Sequence, residues 1–121
     1  QQLTAPADAA YSSDSFWGTQ WNLTPLMTLL TPAKANSWVN SFLALYDSGG
    51  WMPDAPVGLE YSAVMGAQHH KALIVSSYQK GIRDFDVNKA WAATKQDLTT
   101  HGQAGPSGCY VRNRQPPPHL Q

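Results

Sequence analysis

Apolar residues recur at three- and four-residue steps through the middle of the chain. Ala35, Trp38, Val39, Phe42, Leu43 and Tyr46 fall on one face of a single amphipathic helix. Thr31-Pro32 is its start signal, a Thr N-cap followed by Pro at the first helical position. Gly49 or Gly50 supplies its left-handed end. Upstream, the stretch Ser15 to Leu30 opens with Phe16, Trp17 and Trp21 and closes with Leu23, Leu26, Met27, Leu29 and Leu30. Pro25 has no backbone donor, so a short helix starting near Thr24, with Pro25 at its first position, fits this stretch. Downstream of the glycines, Pro53 and Pro56 stiffen a loop that ends at Glu60. A third helix is expected from Ser62 to Lys80, carrying Val64, Met65, Leu73, Ile74 and Tyr78 and ended by Gly81. Its middle, Gln68-His69-His70-Lys71, is unusually polar, and Gly66 within it costs about 1 kcal/mol relative to Ala. A fourth helix follows Asp86 as N-cap and runs to about Leu98, with Val87, Trp91 and Leu98 expected inward. Residues 1–14 read as a linker or disordered arm, and the Gly- and Pro-rich tail from 100 to 121 as irregular. No strand and no internal repeat is expected. Four helices with short connections imply an all-α fold of antiparallel helical hairpins.

Composition narrows the function classes. A chain of 121 residues holds one domain at most. Charged residues make up only 13% and the formal net charge is zero, which argues against a nucleic-acid binder and against an anionic membrane surface. Five Trp and five Tyr argue against disorder. The single Cys109 excludes an internal disulfide and a cysteine zinc cluster. No apolar run reaches membrane-spanning length, and the N-terminus has no signal-peptide pattern.

The candidate chemistry is sparse. Glu60, at a loop-to-helix junction, suits a proton donor with a raised pKa, as glycosidases require. It equally suits a helix-start acid, the commoner role for such a residue. His69 and His70 are adjacent and point to different helix faces, so they do not readily ligate one ion; one in a pocket or core and one at the surface is the simpler arrangement. Trp17, Trp21 and Trp51 are candidate sugar-stacking platforms, with core packing as the commoner alternative, while Trp38 and Trp91 lie on helical stripes and read as core. The serines lack the setting of a nucleophile elbow.

Four stretches, in order, resemble glycoside hydrolase family 92, whose members are calcium-dependent, inverting exo-α-mannosidases. Ser15-Phe16-Trp17-Gly18-Thr19-Gln20-Trp21 with Leu23-Thr24-Pro25-Leu26 is similar to the family's aromatic-aspartate-threonine and His-Pro-Leu run. Tyr46-Asp47-Ser48-Gly49-Gly50-Trp51-Met52-Pro53 resembles its Tyr-x-x-Gly-Gly-Trp-Leu-Pro segment. Glu60, Met65-Gly66, a histidine and Tyr78-Gln79-Lys80-Gly81-Ile82-Arg83-Asp84-Phe85-Asp86 resemble its Glu-Thr-x-x-Met-x-Gly-x-His and Lys-Gly-Ile-Arg-x-Phe-Asp block. Gly108-Cys109-Tyr110-Val111 resembles a later Gly-Gly-Tyr-Val.

The likeness spans about residues 14 to 115. It implies that residues 15–121 are a fragment of an (α/α)6 barrel, with Glu60 as general acid and with Trp17, Gln20, Trp51 and His69 contacting the sugar. The implied substrate is an α-mannoside-like glycan, and the implied compartment is secreted or periplasmic. Calcium and the general base would belong to other parts of the parent enzyme. Departures fall on the sugar-binding side: Gly18 stands where the family has aspartate, Trp21 where an arginine is common and Thr24 where a histidine is. The histidine is one residue out of step, so Gln68 or His70 is an alternative equivalent of His69. Gly18 and a loop one residue short before Glu60 favour the rival reading, a non-catalytic helical interaction module that retains only the scaffold.

Overall fold

The computed structural model describes residue 11 and residues 16–52, 56–57, 60–61 and 69–99. Among the described residues the elements are α1 (Phe16–Thr19), α2 (Leu23–Leu30), α3 (Pro32–Gly49), β1 (Pro56–Val57), β2 (Glu60–Tyr61), α4 (His69–Gln79) and α5 (Val87–Thr99). The fold is all-α apart from the two-residue ladder, in which Pro56 pairs with Tyr61 and Val57 with Glu60 in antiparallel register. That ladder departs from the expectation of no strand. Two residues, Gly58 and Leu59, separate its strands in the sequence, the spacing of a tight hairpin. Pro56, lacking an N–H, starts its strand, where a missing donor is tolerated.

The helix α3 is the spine. It packs against α2, α4 and α5, and α4 also touches α1 and α2. Its expected stripe is buried: Ala35, Trp38, Val39, Phe42 and Leu43 face inward and Tyr46 is half-buried. Around them gather Met52, Leu73, Ile74, Phe85, Ala90 and Ala93. Tyr11, within the segment expected to be a linker or arm, packs on this core, its ring centroid 6.5 Å from that of Trp38.

Local chemistry sets the boundaries. Thr31 precedes Pro32 at the start of α3, but its hydroxyl donates back to the Met27 carbonyl (3.3 Å) and makes no cap bond. Gly50 ends α3 at φ 75°, its N–H donating to the Tyr46 carbonyl at 2.7 Å. Gly81 ends α4 at φ 82° in a full Schellman motif: Ile82 N–H donates to Ser77 O and Gly81 N–H to Tyr78 O. Asp86 caps α5, its Oδ1 accepting from the Lys89 N–H at 2.9 Å. Side chains then bolt the loops to the spine. Asn36 and Asn40 donate to the Asp84 carbonyl at 2.6 and 3.4 Å. Gln96 accepts from the Tyr46 hydroxyl at 2.9 Å and donates to the Gly50 carbonyl at 2.8 Å.

Two helices face differently from expectation. On α5 the buried residues are Ala90, Ala93, Thr94 and Asp97, whereas Trp91 is 67% exposed and Leu98 is also exposed. The inward face is rotated by roughly 90° from the one through Val87, Trp91 and Leu98. The small Ala90 and Ala93 join the core there, and rotation in this sense also lets Gln96 and Asp97 meet partners on neighbouring elements. On α2 the buried residues are Thr24 and Thr28, while Leu23, Leu26, Leu29 and Leu30 are exposed. Thr28 satisfies its hydroxyl within α2, donating to the carbonyls of Thr24 and Pro25, and accepts from Lys80 Nζ at 2.6 Å. Tyr78, counted among the apolar residues of the third helix, is also exposed, with the Arg83 guanidinium 4.2 Å above its ring. Residues 62–68, the expected first part of that helix, lie outside the described residues, as does the tail from 100 to 121.

Candidate functional site

Glu60 sits on β2, in register with Val57. In the chain it lies midway between Trp51 and His69, at positions 51, 60 and 69. Trp51 follows the left-handed Gly50 directly and is only 6% exposed, so its indole lies within the protein. His69 opens α4 and is half-buried. Trp17 belongs to α1, Gln20 follows that helix and is half-buried, and α1 packs on α4. The structure therefore brings the helix of Trp17 against the helix that His69 opens. Glu60 lies on backbone paired with Val57, and residues 62–68, which carry the expected helix start after it, lie outside the described residues. Gly18, where the family has aspartate, is exposed, and a Cβ there would meet nothing within 4 Å.

One pair escaped the sequence reading. His70 Nε2 lies 3.1 Å from Asp97 Oδ2, with the two side chains 2% and 4% exposed. The approach is close without the alignment of a hydrogen bond, and Nε2, Nδ1 and the second carboxylate oxygen of Asp97 make none. Burial holds the His70 pKa below its ordinary 6.5, Asp97 opposes that by favouring the charged ring, and Lys71 and His69 add to the lowering. Burial is the dominant cause, because an imidazolium here would surrender nearly all its hydration for one imperfect contact. The signal in the sequence was Asp97, which shares a helical face with Ala90, Ala93 and Thr94. The expected division of the two histidines holds in part: His70 is core and His69 is half-buried.

A calcium ion takes six to eight oxygen ligands, several of them carboxylates. Among the described residues the aspartates do not converge. Asp47 pairs with Lys89 at 2.8 Å, Asp86 caps α5, Asp97 faces His70, and Asp84 offers its carbonyl to Asn36. No group of three or more His, Cys, Asp or Glu side chains suited to a metal occurs among the described residues. These described residues do not fit calcium.

No curated protein and no solved structure matches the chain. The description of the glycosyl hydrolase family 92 catalytic domain matches residues 1–115. That span covers the helical spine, the hairpin of Glu60 and the helix that His69 opens. The chain belongs to glycosyl hydrolase family 92, as part of its catalytic domain.

Proposed function

We propose that this chain forms the acid-bearing part of a catalytic domain that removes terminal α-mannosyl residues with inversion, Glu60 being the general acid. One observation carries the reading: the family match spans residues 1–115, a range that contains Glu60. In this reading Glu60 protonates the glycosidic oxygen as the bond breaks. A carboxylate from another part of the domain activates water on the opposite face, about 6.5–9.5 Å away, as inversion requires. Trp17, Gln20, Trp51 and His69 contact the sugar. The helices are one sector of an (α/α)6 barrel whose other helices cover the apolar faces left open here. Calcium belongs to that larger assembly.

The base lies outside this chain, so the 121 residues alone do not turn over an aryl α-mannoside. In the protein carrying the complete catalytic domain, Glu60→Gln lowers turnover of substrates with poor leaving groups by about 10²–10⁴-fold. Nitrophenyl substrates, whose leaving groups need little protonation, lose far less. Equal losses on both substrate types, or none on either, would remove Glu60 from the acid role.

A further inference from the structure

The chain leaves α3 through a buried turn. Gly50 stands at φ 75° and ψ 1°, and its N–H closes the helix on the Tyr46 carbonyl at 2.7 Å. Gly50 is itself buried, and a buried carbonyl left without a partner costs about as much as a lost hydrogen bond. Gln96 of α5 supplies the partner, its Nε2 donating to the Gly50 carbonyl at 2.8 Å. The two helices pack against each other, which puts this side chain within reach of the turn. The Gln96 amide has one way round. Its Oε1 accepts from the Tyr46 hydroxyl at 2.9 Å. Burial pushes the Tyr46 pKa above its usual 10.0, with Asp97 and Asp47 adding to the rise, so the phenol keeps its proton at neutral pH. A flipped amide would set Oε1 against the Gly50 carbonyl, acceptor against acceptor. Tyr46, Gln96 and Gly50 are therefore joined in a closed circuit of hydrogen bonds.

The held carbonyl belongs to the peptide that joins Gly50 to Trp51. A peptide unit is planar, so its oxygen, the Trp51 N–H and the Trp51 Cα lie in one plane. Fixing the oxygen fixes the line along which Trp51 leaves the turn. Trp51 is only 6% exposed and Met52, the next residue, belongs to the core, so a tilt of this plane moves side chains that have little free space. We infer that Gln96, oriented by Tyr46, is a positioning residue that holds the Gly50–Trp51 peptide and so sets where Trp51 stands. That Trp51 then contacts a sugar rests on the glycosidase reading above; its placement by Gln96 does not.

The test uses the 121-residue chain labelled with fluorotryptophan and read by fluorine NMR, beside the variant Gln96→Met. Methionine keeps the length of the side chain and makes neither hydrogen bond. The Trp51 and Trp38 signals are assigned by their loss in Trp51→Phe and Trp38→Phe. In Gln96→Met the Trp51 signal should shift or broaden, while that of Trp38, two turns back along α3, should stay in place. A Gln96→Met chain that melts at a lower temperature but leaves the Trp51 signal at its wild-type position would overturn the inference, since Gln96 would then only add stability. Equal shifts of Trp38 and Trp51 would also overturn it, as a general loosening. A measurement on the wild type decides the matter where the variant does not fold. The side-chain amide protons of Gln96 should exchange with solvent more slowly than those of exposed Gln79, and exchange as fast as that of Gln79 would remove the bond to Gly50 and the inference with it. Glycosidase turnover enters none of these readouts, so a failure here is distinct from a failure of Glu60 as acid.

Discussion

Burial decides what each side chain contributes, and two aromatic residues make opposite cases. Phe42 is fully buried at the centre of the α3 stripe, and Phe42→Ala should cost about 3–5 kcal/mol in a denaturant melt. Trp91 lies on a sequence stripe that suggested core, yet it is mostly exposed, so Trp91→Ala should stay within about 0.5 kcal/mol of wild type. A large loss at Trp91 would mean that α5 is rotated the other way. His70 adds a dependence on pH. Its folded pKa lies below 6.5, the value for an unfolded chain, because burial disfavours the charged ring. Above pH 6.5 the ring is neutral in both states and its contribution is fully present. As the pH falls below that value the unfolded chain takes up the proton first, so stability drops, by at most about 1.4 kcal/mol per pH unit for this one site. The difference in thermal midpoint between wild type and His70→Asn should therefore change between pH 7.5 and pH 5, with the wild type losing more on acidification. A constant difference across that range would show that His70 keeps an ordinary pKa.

At the scale of the elements, the helix ends were the most legible features. Gly49 or Gly50 and, further on, Gly81 are the expected helix stops, and Gly50 and Gly81 are the two that adopt positive φ among the described residues. Gly81→Ala isolates the backbone cost, because an added Cβ there would meet nothing within 4 Å. Holding alanine in the left-handed region should cost about 1–2 kcal/mol in a denaturant melt, and an unchanged stability would mean that α4 can end another way. The stripe of α3 was legible for a physical reason: its six apolar positions match one helical face, and the helix is flanked on several sides by partners able to bury it. The inward face of α5 was not legible, because hydrophobicity ranks Trp91 and Leu98 above Ala90 and Ala93. Close approach to the core and the polar links from Gln96 and Asp97 chose the smaller face. The ladder at Glu60 was missed because two-residue strands carry no periodicity, and two prolines pointed toward a loop. Of the candidate site, the residue types came from motif order, whereas the His70–Asp97 contact joins residues distant in sequence and no local pattern announces it.

At the scale of the whole molecule, the distribution of apolar surface is the dominant feature. Trp21 is 78% exposed and Leu29 75%, and Leu23, Leu26 and Leu30 flank them along α2. The helix turns its two threonines inward and its leucines outward, the reverse of a surface helix in a self-sufficient domain. Singly exposed leucines are ordinary, but a contiguous set on one helix face is not. Low overall charge leaves little to oppose association through that face, since only 13% of residues are charged and the net charge is zero. The isolated chain should therefore bind ANS and self-associate as its concentration rises, measured by dye fluorescence and by light scattering. Replacing Leu26, Leu29 and Leu30 together with glutamine should abolish most of both signals. The same replacements should scarcely lower the thermal midpoint, because the three side chains are exposed and α2 is held to α3 and α4 from its threonine face, where Lys80 reaches Thr28. A triple variant that lost its cooperative melt would show that these leucines pack inside the molecule. A wild-type chain that stayed monomeric, bound no ANS and melted sharply would show that the leucine face needs no cover.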